Sequence, residues 1–169
     1  AGINVAEPVP HEYHHLLAHD PAYAAKAKRI SALTRDISEV IAAELARLKL
    51  LLAATKANTQ ASKLALQLPC SLQHGQQIRG LTESILVAAG FELTPVADSH
   101  LCCGSAGTYS ILQPELSARL KANKLAALHA GSPQAIVSAN MGCLSHLQSG
   151  TALPLEHWIV ALERRLAGA

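Results

Sequence analysis

Aromatic residues are scarce: one Trp, one Phe and three Tyr in 169 residues. Charge of one sign is scarce too, with 14 Lys and Arg against 12 Asp and Glu and a net charge of +2. Without a basic surface or a set of stacking rings, nucleic acid is not an expected partner. No apolar run approaches the roughly 20 residues that cross a bilayer, and Ala1–Pro10 carry no charged region followed by an apolar one, so the expectation is a soluble, cytoplasmic chain without a transmembrane segment. Internal repeats and low-complexity tracts are absent. Cysteine is limited to Cys70, Cys102, Cys103 and Cys143. In a reducing compartment so few thiols do not form a disulfide framework; clustered, they serve as ligands or catalysts.

What is present is half hydrophobic, enough for one ordinary core. Residues 1–20 hold two of the prolines and four histidines (His11, His14, His15, His19) without a period, and read as an irregular arm. From Ile30, the residues Leu33, Ile37, Val40, Ile41, Leu45 and Leu48 recur at steps of three and four, one face of a long helix. Lys56–Ser62, small and polar, reads as a link. After it, short apolar runs alternate with helical ones. Strands are expected at Lys63–Pro69, Phe91–Ala97, Ala135–Ala139 and Thr151–Leu155. Helices are expected at Gln76–Ala89, Pro114–Ala130 and Glu156–Leu166, the second burying Leu116, Leu120, Leu125 and Leu128. The expected fold is α/β in three layers: a small parallel sheet of about four strands with flanking helices, plus the long N-terminal helix. Residues 1–62 would be arm and helix and 63–169 the cysteine-bearing α/β unit, together one compact body.

This topology draws the cysteines together. Cys70 follows the first strand, Cys102 and Cys103 the second, and Cys143 the third, and the carboxyl ends of parallel strands share one edge. Gly104 and Gly107 beside the vicinal pair would let the backbone approach an inorganic group and offer N–H groups to its sulfurs. His146, three residues after Cys143, is a further candidate ligand. His74 and His100 are candidates to hydrogen-bond ligand sulfurs. Four buried small hydrophobes and a strained vicinal disulfide are weaker readings of the same residues. Thiolates select zinc, copper(I) or iron–sulfur clusters. Asp98 and Glu83 have no spacing that pairs them, so no acid–base catalyst is expected. Trp158 is either a core residue or an exposed anchor for a partner.

Cys70, Cys102-Cys103-Gly104 and Cys143, spaced by 31 and 38 residues, resemble the cysteine-rich "CCG" domain of the heterodisulfide reductases and related redox proteins. The runs Pro69–His74, Asp98–Tyr109 and Ala139–Cys143 resemble most the second such domain of glycolate oxidase iron–sulfur subunits, and Glu12–Leu17 and Ile30–Leu45 share in the likeness. In that branch, as here at His146, a histidine closes the usual Cys-x-x-Cys. The resemblance implies a non-catalytic electron-transfer subunit that takes electrons from flavin-containing glycolate oxidase subunits, with Cys70, Cys102, Cys103 and Cys143 holding a [4Fe–4S] cluster, noncubane in the heterodisulfide relatives. It implies membrane association only through partner subunits. The sequence departs from the family in lacking its N-terminal ferredoxin-like part and first CCG domain, in having no cysteine within Val5–Pro10, and in placing Gln67 where a histidine is usual. Two alternatives stay open: a zinc-stabilised assembly domain, and a heterodisulfide-type thiol–disulfide reductase module.

Overall fold

The structure, a computed structural model, describes residues 9–54 and 62–168. The expected link at Lys56–Ser62 lies, except for Ser62, outside them, as do the first eight residues of the N-terminal arm. The arm's remainder is not irregular. Val9–Leu16 forms helix α1, which packs along α2, Ala24–Leu33.

The single long helix expected from Ile30 is three. After α2 come α3, Ile37–Ala43, and α4, Leu45–Ala54. The break before α3 is written in Asp36-Ile37-Ser38-Glu39. The Asp36 carboxylate accepts from Ser38 N (2.8 Å), and Asp36 N donates to the Glu39 carboxylate (2.8 Å), so a capping box restarts the helix. The restart turns the apolar face: Ile37, Ile41, Leu45 and Leu48 pack inward, while Leu33 and Val40 stay exposed.

Four parallel strands follow in the order β2-β1-β3-β4: β1 Lys63–Gln67, β2 Glu92–Leu93, β3 Ala135–Ser138 and β4 Leu155–His157. The α/β expectation holds, with shorter edges. Thr94 N still bonds to Leu64 O (2.8 Å), but this alternate series of donors, Glu92 then Thr94, is not carried on by Val96, so β2 ends short of Ala97. At the other edge Ile136 N reaches Pro154 O, and β4 begins after that proline instead of at Thr151. Helix α5 is Leu81–Ala88; it starts five residues later than expected because Gly80 and Gln77 take left-handed backbone (φ +77° and +57°), which a helix cannot include.

Strand alternation divides the interior in two. Leu64, Leu66 and Val137 face a core completed by α4, α5 and helix α9, Trp158–Ala167. Ala65 and Ile136 face the other side, against α7, Pro114–His129, and α8, Met141–Gln148. Trp158 is fully buried in the first core; it is a packing residue, not a surface anchor. The buried stripe of α7 is rotated from the expected one. Leu116 is 44% exposed, whereas Ser117, Lys124, Leu125 and Leu128 are buried. Two of these four are polar, because this helix flank lies against loop carbonyls at the carboxyl edge of the sheet.

Candidate metal centre

Each cysteine sits on a loop held by its own local device. β1 runs through Leu68 and Pro69 into a π-helical turn, Ser71–Gly75, with Cys70 at its head. Gln73 within this turn donates to Leu68 O (2.9 Å) and across to Ser99 O (3.1 Å). His74 Nε2 lies 3.3 Å from His100 O. These contacts tie the loop after β1 to the loop after β2.

The second loop turns at Asp98, in left-handed backbone at φ +49°, and carries Cys102 and Cys103. Gly104 N–H donates to the Cys102 sulfur (3.3 Å). A Cβ on Gly104 (φ +90°) would lie 2.5 Å from Ser117 O. The glycine is thus demanded by the close approach of α7, a different reason from room for an inorganic group. The Ser117 hydroxyl donates to Gly104 O (2.8 Å), and Lys124 Nζ donates to Asp98 O (3.0 Å) and Ser99 O (3.2 Å), so α7 grips the loop at two points.

The third loop leaves β3 through Asn140, whose side chain accepts from Cys143 N (2.9 Å) and caps α8. Cys143 therefore lies in the first turn of a helix, where the N-terminal dipole favours a thiolate.

The three loops bring all four sulfurs into one row. Cys70 contacts Cys102, Cys102 contacts Cys103, and Cys103 donates to Cys143 across 3.2 Å. That separation is a contact and not a disulfide, whose sulfurs lie about 2.05 Å apart, and all four cysteines are free thiols. Cys103 and Cys143 are buried; Cys70 is exposed and Cys102 half-buried.

Protonation alternates along the row. Hydrogen bonds from Cys103 and then Cys70 hold the Cys102 thiol far below its ordinary range, assisted by Gly104 N–H and the Lys124 ammonium. Donating to Cys102 pushes Cys70 up, and Cys102 and then Cys143, which share its single S–H, push Cys103 up, with burial adding to the rise. Cys143 is pulled down by the Cys103 hydrogen bond against the cost of its burial. Backbone N–H groups of Ser71 and Ser105 reach the Cys70 and Cys103 sulfurs. Anionic sulfur is thus favoured at Cys102 and Cys143, on either side of Cys103, in a half-dry site, which suits soft thiophilic metal chemistry.

His146 lies beside the row without touching a sulfur at bonding distance. Its Nε2 is 3.3 Å from Ser117 Oγ. Because that hydroxyl gives its proton to Gly104 O, the ring N–H is the donor, leaving Nδ1 as the ring's lone-pair nitrogen. Burial, then Lys121, lowers its pKa and keeps the ring neutral. The His74 ring acts here as a loop fastener, through the backbone carbonyl of His100.

Lys124 is a residue that sequence reasoning missed, and Gln67, noted there only as a departure from the family's usual histidine, gains a part in the site. Gln67 is 2% exposed; it accepts the Ser138 hydroxyl on its amide oxygen and presents its amide to Leu68 O (3.0 Å) and to the Cys143 sulfur. Both left a signal: a glutamine ending an apolar strand, and a lysine in step with the apolar positions of a helix.

Among the described residues no three His, Cys, Asp or Glu side chains are arranged to hold a single metal ion. The Cys103 and Cys143 sulfurs stand 3.2 Å apart, closer than the roughly 3.8 Å that separates two sulfurs on a tetrahedral zinc with bonds of 2.3 Å. Four thiols from three loops are a donor set suited to iron–sulfur chemistry, and the zinc alternative finds no support.

Comparison with known proteins agrees. The chain is 44% identical over 155 residues to the glycolate oxidase iron-sulfur subunit of Escherichia coli (strain K12), covering 92% of this chain and 36% of that protein. It is 32% identical over 139 residues to the probable glycolate oxidase iron-sulfur subunit of Bacillus subtilis (strain 168), covering 82% and 30%. It is 26% identical over 140 residues to lactate utilization protein A of Bacillus licheniformis, covering 80% and 55%. The chain thus spans about a third to a half of the length of these relatives. Residues 64–148, which contain the three strand-end loops and all four cysteines, match the CCG cysteine-rich domain, and the chain belongs to that family.

Proposed function

We propose that this chain is the iron–sulfur electron-transfer module of a glycolate oxidase complex, taking electrons from flavin-containing subunits and passing them to an acceptor. The observation that carries the reading is the unbroken row of four cysteine sulfurs, gathered from three loops at the carboxyl edge of one parallel sheet. Cys70, Cys102, Cys103 and Cys143 would hold a [4Fe–4S] cluster of noncubane form, with His146 at hand through Nδ1. Bound there, the cluster supplies storage for one electron at a time.

The chain's own residues do the rest. The N–H groups of Ser71, Gly104 and Ser105 and the Gln67 amide donate to the sulfurs, and such donors set how readily thiolates share charge with metal. Burial of Cys103 and Cys143 keeps water from the inner half, and the exposed Cys70 side is the route for electrons. The His74 ring, against the backbone carbonyl of His100, holds the first two loops in register. The bond chemistry on glycolate would belong to the flavin. The ferredoxin-like and first CCG domains would account for the length that the relatives have and this chain lacks. Residues 63–169 would be the cysteine-rich unit and residues 1–62 its arm and cover, of which α3 and α4 pack on the same core. The complex would be cytoplasmic, reaching a membrane only through partner subunits.

Anaerobic purification followed by iron and sulfide analysis and electron paramagnetic resonance tests this. The expected result is about four irons and four sulfides per chain, lost in Cys103→Ser, with no glycolate-dependent dye reduction until flavin subunits are added. Stoichiometric zinc, or undiminished iron in Cys103→Ser, would overturn the reading.

A further inference from the structure

We infer that the buried ammonium of Lys124 is a built-in counter-charge for the cysteine-held centre, placed to favour its reduced state. The inference rests on the cluster reading above and adds to it the residue that tunes the centre.

Lysine is almost never fully buried unless it is paired, yet Lys124 is 3% exposed. The ion pairs found among the described residues are Lys63 with Glu92 and Arg164 with Glu156; Lys124 is in neither. Its hydrogen bonds run to Asp98 O and Ser99 O, but those carbonyls do not need it. Asp98 O already accepts from Leu101 N (2.9 Å), and Ser99 O from the Gln73 amide (3.1 Å). The carbonyls orient the ammonium without neutralising it.

What remains facing the charge is sulfur. Burial lowers the Lys124 pKa, and Cys103, Cys102, the exposed carboxylate of Asp98 and Cys143 each oppose that fall in the sense that keeps it charged. Lys124 and Cys102 also line the same small cavity, about 160 Å³, with Asp98, Leu101 and Asn123. A fixed cation beside thiolates in a site of low dielectric acts strongly on any charge added there. Reduction adds one electron to the cluster, delivered by a reduced flavin, with no bond made or broken and no proton moved. The added negative charge is stabilised by the ammonium more than the oxidised centre is.

The test is a potentiometric titration of the reconstituted full chain, followed by electron paramagnetic resonance. Lys124→Met keeps the length of the side chain and removes its charge. The expected result is at least a tenfold fall in the equilibrium constant for reduction, which is 59 mV for one electron, with the wild-type value kept in Lys124→Arg. The cluster-free fold of Lys124→Met should melt as the wild type does, since both carbonyls keep a donor. Asp98→Asn removes the opposing charge at a residue whose left-handed backbone asparagine tolerates, and should raise the constant about twofold, the size expected of an exposed, screened charge.

If the wild type loads a cluster and Lys124→Met stays within twofold of it, the inference falls and the cluster reading stands. If Lys124→Met cannot load a cluster, Asp98→Asn decides, and an unchanged potential overturns the inference. A wild-type chain that forms no cluster overturns both.

Discussion

The two faces of the sheet are built from the same strands to opposite ends. On one, Leu64, Leu66 and Val137 meet Ile85, Leu86, Trp158 and Leu162, all hydrocarbon apart from the indole nitrogen. On the other, Ala65 and Ile136 meet Leu125, Leu128 and Leu147, and two of the buried members are Cys103 and Cys143. The first core only stabilises. The second stabilises and also carries two of the four cysteines, so on the proposed reading its packing and its chemistry cannot be altered separately.

Large-to-small changes test that contrast most severely. Trp158→Ala should cost about 3–5 kcal/mol and Leu128→Ala about 2–5 kcal/mol in denaturant unfolding of the cluster-free chain. Under conditions where both remain folded, only Leu128→Ala should lose iron. Equal iron loss in the two would mean that the faces are not separable. Trp158→Phe should be milder, because the buried indole N–H has no hydrogen-bond partner to forfeit.

A smaller effect is expected where the second face meets its loop. Gly104→Ala places a methyl against Ser117 O at left-handed φ, an overpacking of about 1–3 kcal/mol. It should displace Cys102 and Cys103 and reduce iron content, whereas a change confined to unfolding free energy would show that the loop can shift without disturbing the sulfurs.

The smallest effect belongs to the first face. Burial holds His157 below the ordinary histidine range, partly offset by a hydrogen bond to Ala139, and its Nδ1 accepts from Ile159 N (3.3 Å). The neutral ring is favoured in the folded chain, so its contribution is full above the unfolded pKa of about 6.5 and is lost as the pH falls through that value toward the lower folded one. The melting temperature of the wild type relative to His157→Gln should therefore decline on acidification. A gap that does not change with pH would remove His157 from the account.

Much of this was legible in the chain. Strand–helix alternation fixed the parallel sheet, and cysteines placed after successive strands had to meet at one edge. What escaped did so for local reasons. The β1–β2 ladder stops after Thr94, where hydropathy would carry the strand on to Ala97. The capping box at Asp36 and Glu39 divided a helix whose apolar period runs on unbroken. Helix α7 hid its working face because a leucine-based reading of amphipathicity discards Ser117 and Lys124. Polar residues lying in phase with a buried stripe are the signal to seek.

Gln67 and Ser138 are partners on one rung of the β1–β3 ladder, and the Ser138 hydroxyl donates to the Gln67 amide inside the protein. Slipping either strand by one residue would turn the pair to opposite faces and strand each group without its mate, at about 1–3 kcal/mol apiece. The rung thus works as an alignment key. By admitting one pairing of the two central strands, it determines where each chain emerges from the sheet, and so whether Cys70 and Cys143 come within reach of a common centre.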